Sequence, residues 1–364
     1  MVNTRTKCKI ALVGYSLSHG GLEKVIANLS FMLGKNNFEV HTIILSDDIG
    51  YDFHGKLVNI EKNVAKYPFS KLSKYAYFFF YLRKHKFDYI IDLRYRLNPI
   101  TEILICKLIY NAKIIFGVHS SKIDTYFFKN RFLTKFIYSK NYAIVCASKG
   151  IEEKLRNTHV LRNIVTIYNG IDIAEIQQKS KQEVDLPFKF IISIGRFERQ
   201  NIKQFDKLIE AYLESNLKNQ GIHLLIIGDG ITQSEMQHKF SNEEYVHFVG
   251  HISNPYPYIH QSEFLVLSSK YEGFPMVLIE SLASGVPVIS FDCPTGPNEI
   301  ILHEENGLLV SDQNFETLKK AMERGVNDVE FLEKCKKRAK ESVEKFDFKV
   351  IANKWIELFN KNIA

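Results

Sequence analysis

A chain of 364 residues is too long for one small binding module, and at roughly 150 residues per domain it predicts two or three folded units. Hydrophobic residues at 45% and charged residues at 24% exclude a disordered or fibrous protein. The net charge of +7 divides unevenly: residues 1–170 hold 26 Lys and Arg against 12 Asp and Glu, residues 171–364 hold 22 against 29, and the halves therefore carry +14 and −7.

A basic first half points to an anionic partner, either nucleic acid or the acidic face of a membrane. No recognisable nucleic-acid-binding module accompanies it, which favours the membrane. The opening MVNTRTKCKIALVGY has too short an apolar run, and no small-residue cleavage site, for a signal peptide. No segment offers the ~18 uninterrupted apolar residues of a membrane span. Five cysteines, odd in number and never in a Cys-x-x-Cys pair, disfavour a zinc site or a disulfide framework and suit a reducing compartment.

In chain order, apolar runs of strand length alternate with longer segments of helical period. The runs of the first half are 9–15, 38–45, 88–93, 113–119 and 142–148. Their continuous rather than alternating apolar character predicts a parallel sheet covered on both faces. A polar stretch after residue 172 reads as a connection. The pattern then restarts with strands at 188–195, 222–228, 246–250, 264–269 and 286–290. The prediction is an α/β protein of two doubly wound domains, 1–172 and 187–346. Ligands are expected at the carboxyl ends of the strands, facing a cleft between the domains.

Four groups of residues stand out. Gly20-Gly21, after the first strand and before a helix, either lets a ligand approach the backbone or merely makes a tight turn. His119 follows a strand and is either a site residue or a core or capping histidine. Arg196, at the end of strand 188–195, can neutralise a phosphate or pair with Glu198 on the surface, and Lys203 can add a flexible second charge. Glu272-Gly273-Phe274-Pro275 opens a helix, so Glu272 lies in the loop before it and Glu280 inside it. A carboxylate on that apolar helix needs hydroxyl or N–H partners, whether from a ligand or from the fold itself.

Taken together with Asn169-Gly170-Ile171-Asp172, Gly195-Arg196, Gly228-Asp229-Gly230 and Ser284-Gly285-x-Pro287-Val288, these residues resemble the retaining glycosyltransferases of the GT-B fold, glycosyltransferase family four (group 1). The similarity is strongest to bacterial enzymes of surface polysaccharide and lipid-linked oligosaccharide synthesis. It implies an N-terminal acceptor-binding domain, a C-terminal sugar-nucleotide-binding domain, and a terminal helix 347–364 crossing back to the first. It implies Arg196 on the donor diphosphate, Glu280 on the nucleotide ribose, Glu272 near the donor sugar and His119 facing the reacting sugar. Gly21, Gly273, Phe274, Pro275, Thr295 and Gly296 would line the donor. The family has a lysine five residues after the arginine, where this chain has Asn201, and Lys203 is the substitute. The expected reaction is transfer of a hexose or N-acetylhexosamine, from a UDP-sugar, to a polyprenyl-diphosphate-linked glycan, with retention of configuration. In the absence of an Asp-x-Asp pair no metal or other cofactor is expected. The alternatives are another GT-B enzyme, such as a sugar-nucleotide epimerase or a soluble-acceptor synthase, and a non-catalytic two-domain sugar-binding protein.

The first half also carries the membrane expectation, a cytoplasmic protein held peripherally on the inner membrane face. Residues 62–86 interleave Lys71, Lys74, Arg83 and Lys84 with Tyr67, Phe69 and Phe78 to Phe80, and residues 122–140 repeat the mixture. Arg94 and Arg96, in a loop after a strand, are candidates for an acceptor phosphate. In the last helix Val350, Trp355, Leu358 and Phe359 are expected on one buried face that sets the interdomain angle.

Overall fold

The computed structural model describes residues 7–18, 20–66 and 70–361; His19, Tyr67 and Phe69 lie outside them, as does the side chain of Lys71. The chain divides into two compact units, Met1–Gly170 with Phe348–Ala364, and Ile171–Asp347.

The first unit is built on a seven-stranded parallel sheet. Its strands are β1 (Lys9–Gly14), β2 (Glu39–Ile44), β3 (Lys56–Asn59), β4 (Tyr89–Asp92), β5 (Lys113–Val118), β6 (Ala143–Cys146) and β7 (Ile164–Thr166), in the order β3-β2-β1-β4-β5-β6-β7. In β1, Ile10 to Val13 are fully buried, with Ile10 opposite Val40 on one side and Tyr89 on the other. That two-sided burial is why the run is apolar without alternation. The short edge strands β3 and β7 escaped the sequence reading because KLVN and IVT are too brief to show a period.

Helix Gly21–Lys35 buries Val25, Ile26, Leu29, Met32 and Leu33 against this sheet. The terminal helix Phe348–Asn360 joins the same core through Phe348, Ile351, Ala352, Trp355, Leu358 and Phe359. Tyr89 Oη donates to Phe359 O at 2.6 Å, and Tyr142 Oη to Leu358 O at 2.8 Å, holding the carbonyls at the helix's open end. The expected return of this helix to the first unit is observed. Val350 is a correction: the buried stripe runs through 348, 351, 352, 355, 358 and 359, and Val350 falls off it, 40% exposed.

The second unit holds a six-stranded parallel sheet of β8 (Lys189–Ile194), β9 (Ile222–Ile227), β10 (Val246–Gly250), β11 (Leu265–Leu267), β12 (Val288–Phe291) and β13 (Gly307–Val310), ordered β10-β9-β8-β11-β12-β13. Helix Phe205–Leu213 packs Leu208, Ile209 and Tyr212 into its core. The polar segment read as a connection belongs to this unit. Its helix Ile173–Lys179 lies against helices Tyr256–Gln261 and Met276–Ala283, and Ser180 Oγ meets Ser284 Oγ at 3.2 Å. Among the described residues no helix is long and apolar enough to cross a membrane.

Candidate active site

In an open parallel sheet, ligands bind where the strand order reverses. In the second sheet that place lies between β8 and β11, and the loops that follow these strands contain Arg196 to Lys203 and Ser268 to Pro275. The side chains meet there. Lys203 Nζ donates to Glu272 Oε1 at 2.5 Å, and Ser269 Oγ donates to the same oxygen at 2.7 Å. Ser268 Oγ holds the Lys203 carbonyl at 2.7 Å, and Thr295 Oγ1 donates to Glu272 O at 2.7 Å, so the loop after β12 closes the group. The stem of Lys203 lies over Gly195, where an added Cβ would stand 2.9 Å from its Cε.

Gly228 and Gly230, both at φ +144°, bring the β9 loop under the β8 loop. A Cβ on Gly228 would be 1.8 Å from Gly195 O, a distance no side chain can occupy. Phe197 N donates to Asp229 O at 2.8 Å across the same approach. Arg196 itself is exposed, and the surface pair with Glu198 is not formed among the described residues. Asn201, at φ 47°, turns its amide to Asp206 Oδ1 at 2.7 Å, at the start of helix Phe205–Leu213, and so away from Glu272. Of the two positions, it is 203 whose side chain reaches Glu272.

Pro275 stands at the cap of helix Met276–Ala283, and Glu280 is buried inside that helix at 5% exposure. Phe274 packs edge-on against Phe346 at 5.1 Å, which fixes the loop that presents Glu272. Thr295 and Gly296 both adopt positive φ, 65° and 101°, pressing that loop against Gly273 and Pro275. Ser268 and Ser269 were missed from the sequence; the available signal was a pair of hydroxyls at a strand end, four and three residues ahead of Glu272.

In the first sheet the order reverses between β1 and β4. Gly20 caps helix Gly21–Lys35, and a Cβ on Gly21 would meet nothing within 4 Å. Internal packing therefore does not require glycine at position 21. His119 follows β5. Both ring nitrogens are buried without a partner at hydrogen-bond geometry. His119 lines a cavity of about 20 Å³ whose polar lining includes Asn28 and Asn169. Burial, reinforced by the Arg96 charge and partly offset by Asn169, holds the imidazole pKa down from 6.5 to about 4, so it is neutral at pH 7.

Arg94 and Arg96 are corrected. Neither is at the surface: they are 1% and 0% exposed. Arg94 donates to Asp92 through Nε at 3.0 Å and Nη2 at 2.8 Å, and to Glu102 through Nη1 at 3.3 Å and Nη2 at 3.1 Å. Burial lifts the Glu102 pKa, whereas Arg94 and then Arg96 overcome burial at Asp92 and hold it below its ordinary value. Arg96 donates to the carbonyls of Tyr126, Asp92, Arg94 and Gly117, inside a cage of Phe116, Tyr126, Phe127 and Tyr138 rings whose centroids lie 5.0–5.7 Å away. Guanidiniums so engaged cannot reach an acceptor phosphate.

Two parallel-sheet units with loops gathered at their switch points define the class: a glycosyltransferase of the GT-B fold. The Glycosyltransferase Family 4 model matches residues 19–175 and the Glycosyl transferases group 1 model residues 174–342, and the chain belongs to this glycosyltransferase family. One relative is the N-acetylgalactosamine-N,N'-diacetylbacillosaminyl-diphospho-undecaprenol 4-alpha-N-acetylgalactosaminyltransferase of Campylobacter jejuni, 29% identical over 93% of this chain and 96% of the relative. A second from that organism, the GalNAc-alpha-(1->4)-GalNAc-alpha-(1->3)-diNAcBac-PP-undecaprenol alpha-1,4-N-acetyl-D-galactosaminyltransferase, is 26% identical over 96% and 98%. Among solved structures, a TarM variant of S. aureus in complex with Fondaparinux, alpha-GlcNAc-glycerol and UDP superposes with TM-score 0.78. It is 16% identical, over 97% of this chain and all of TarM.

Proposed function

We propose that this glycosyltransferase moves a hexose or N-acetylhexosamine from a UDP-sugar to a polyprenyl-diphosphate-linked glycan of surface polysaccharide. Transfer takes place with retention, without a metal, at the inner face of the cytoplasmic membrane. The observation that carries the reading is the Lys203–Glu272 pair, set beside exposed Arg196 at the switch point of the second sheet. The undecaprenol acceptors in the names of the two relatives, and the UDP of the TarM complex, support the choice of substrates.

A sugar nucleotide brings its own leaving group. The protein's task is to stabilise the negative charge growing on the diphosphate as the sugar becomes oxocarbenium-like. Arg196 and Lys203 supply the opposing positive charge, and Glu272 and Ser269 keep the ammonium in place before the donor arrives. Glu280 accepts from the ribose hydroxyls, and the backbone at Thr295 and Gly296 lies along the phosphates. The leaving phosphate oxygen takes the acceptor proton on the face it departs from, which preserves the anomer.

The test is a panel of sugar nucleotides, with release of nucleoside diphosphate measured in the presence of a lipid-diphosphate sugar and with EDTA added. UDP release that survives EDTA, and an anomeric coupling constant matching the donor's, are expected. An inverted product overturns retention; release only with a soluble acceptor overturns the lipid substrate.

A further inference from the structure

Three neighbouring pieces of the first unit leave large apolar side chains in water. Helix Ser70–His85 turns Phe78, Tyr81 and Leu82 inward, yet Leu72 and Phe80, two turns apart, are 71% and 68% exposed. The π-helical turn Ile105–Ile109 exposes Leu108 at 59%. Helix Arg131–Tyr138 buries Thr134, Ile137 and Tyr138 and presents Phe132 and Phe136, one turn apart, at 86% and 58%.

The pieces form one surface. Arg83 Nη2 donates to Leu108 O at 3.1 Å, tying the first helix to the π turn, and Lys107 Nζ lies 4.9 Å from the Phe136 ring, tying that turn to the second helix. A groove of about 490 Å³ between the first helix and the turn is floored by Tyr75, Phe79 and Leu104. None of the three pieces contains an Asp or Glu, while Arg83, Lys84, Arg131 and Lys135 are exposed around the rings. The earlier expectation of a basic aromatic helix at 62–86 needs amending here. Phe78 faces the core, Lys74 is paired with Glu61 at 2.7 Å, and the single most exposed ring, Phe132, sits on helix Arg131–Tyr138, within the second expected segment.

We propose that these three faces are a single insertion surface for an anionic bilayer. Phe132, Phe136 and Phe80 enter the interface, and Arg83, Lys84, Arg131 and Lys135 meet lipid phosphates. The proposal rests on the reading that the enzyme works on a membrane-borne acceptor and says where it docks. Solvent-exposed rings on monomeric proteins mark an interaction site when they cluster. Anionic lipid satisfies both the rings and the cations. A second copy of the chain would satisfy the rings alone, because it brings one carboxylate-free basic face against another.

The experiment uses the full chain with vesicles of phosphatidylglycerol and phosphatidylcholine in equal parts, or phosphatidylcholine alone, at ~50 mM salt, where the Debye length exceeds 10 Å. Wild type should sediment with the anionic vesicles and poorly with the neutral ones. Phe132→Ser with Phe136→Ser should weaken that partitioning ~10- to 100-fold, the range expected for two interfacial rings, with an unchanged melting temperature because both are solvated. Arg131→Gln with Lys135→Gln should weaken it several-fold and flatten its salt dependence. Phe132→Trp should give emission quenched by brominated acyl chains, against the core-buried Trp355, the one native tryptophan. Wild-type binding that the Phe132/Phe136 variant retains overturns this surface and leaves the membrane reading standing. Wild type that ignores anionic vesicles overturns both. A wild-type dimer that the double Ser variant converts to monomer, with no effect on lipid, assigns the face to a second copy and overturns the proposal.

Discussion

Asn201, five residues after Arg196, adopts positive φ and binds Asp206, and the ammonium that meets Glu272 comes from Lys203, two residues later. Lys203→Ala and Arg196→Ala should each lower transfer by at least ~100-fold, the scale of one preorganised charge contact. Asn201→Ala should stay within about threefold, and kcat/KM with a saturating acceptor separates the three. Full activity in Lys203→Ala would remove it from the diphosphate site. His119 makes a second prediction, about pH. Its unfolded pKa is near 6.5 and its folded pKa about 4, so between these values the unfolded chain binds more protons and stability falls as pH drops. His119→Gln should lose less stability than wild type between pH 7 and pH 5. Urea midpoints at the two pH values give the difference, and other buried histidines cancel because both proteins contain them.

At the level of elements, the terminal helix Phe348–Asn360 is a structural part of the first unit. Trp355 is 5% exposed and lies 5.8 Å from Phe359, which in turn packs on Phe38 and Tyr89. Trp355→Ala should cost ~3–5 kcal/mol, and a chain ending at residue 347 should be insoluble or inactive. Chemical denaturation and expression solubility are the measurements; a soluble, fully active truncation would show the helix to be dispensable. Strand β4 and the helix Pro99–Leu104 are joined by the buried Asp92–Arg94–Glu102 group. Arg94→Leu leaves two carboxylates buried without their cation and should cost ~3–5 kcal/mol. Replacing all three with apolar residues should recover most of that loss. If the single and triple variants melt alike, the ionic group is not what holds these elements.

For the whole molecule, the division of charge into +14 and −7 gains a use once the basic half is seen to hold the exposed rings. Raising salt from ~50 mM to ~1 M shortens the Debye length from above 10 Å to ~3 Å. Transfer to an acceptor in anionic vesicles should then fall several-fold, while transfer to a short-chain acceptor in solution should change less than about twofold. Equal salt responses would place the electrostatics in the donor site rather than at a surface.

Local chemistry made much of this legible in advance. Continuous apolar runs mean strands buried on both faces, and glycine-bracketed strand ends mean ligand loops, because these constraints act within a few residues. The Glu-Gly-Phe-Pro loop was readable for that reason, as were Glu272 and Lys203 as separate site candidates, while Gly228 and Gly230 entered through the family resemblance and the bond between Lys203 and Glu272 came only with the fold. What needed the tertiary structure was everything decided by neighbours distant in sequence. Arg94 and Arg96 read as surface cations until Glu102, Gly117, Tyr126 and Tyr138 closed around them, and helical period alone could not tell Phe78 from Phe80 or Val350 from Ile351. Burial belongs to the packed whole: a side chain's charge and polarity are written in the sequence, but which side of it faces water is set by the elements that happen to lie across from it.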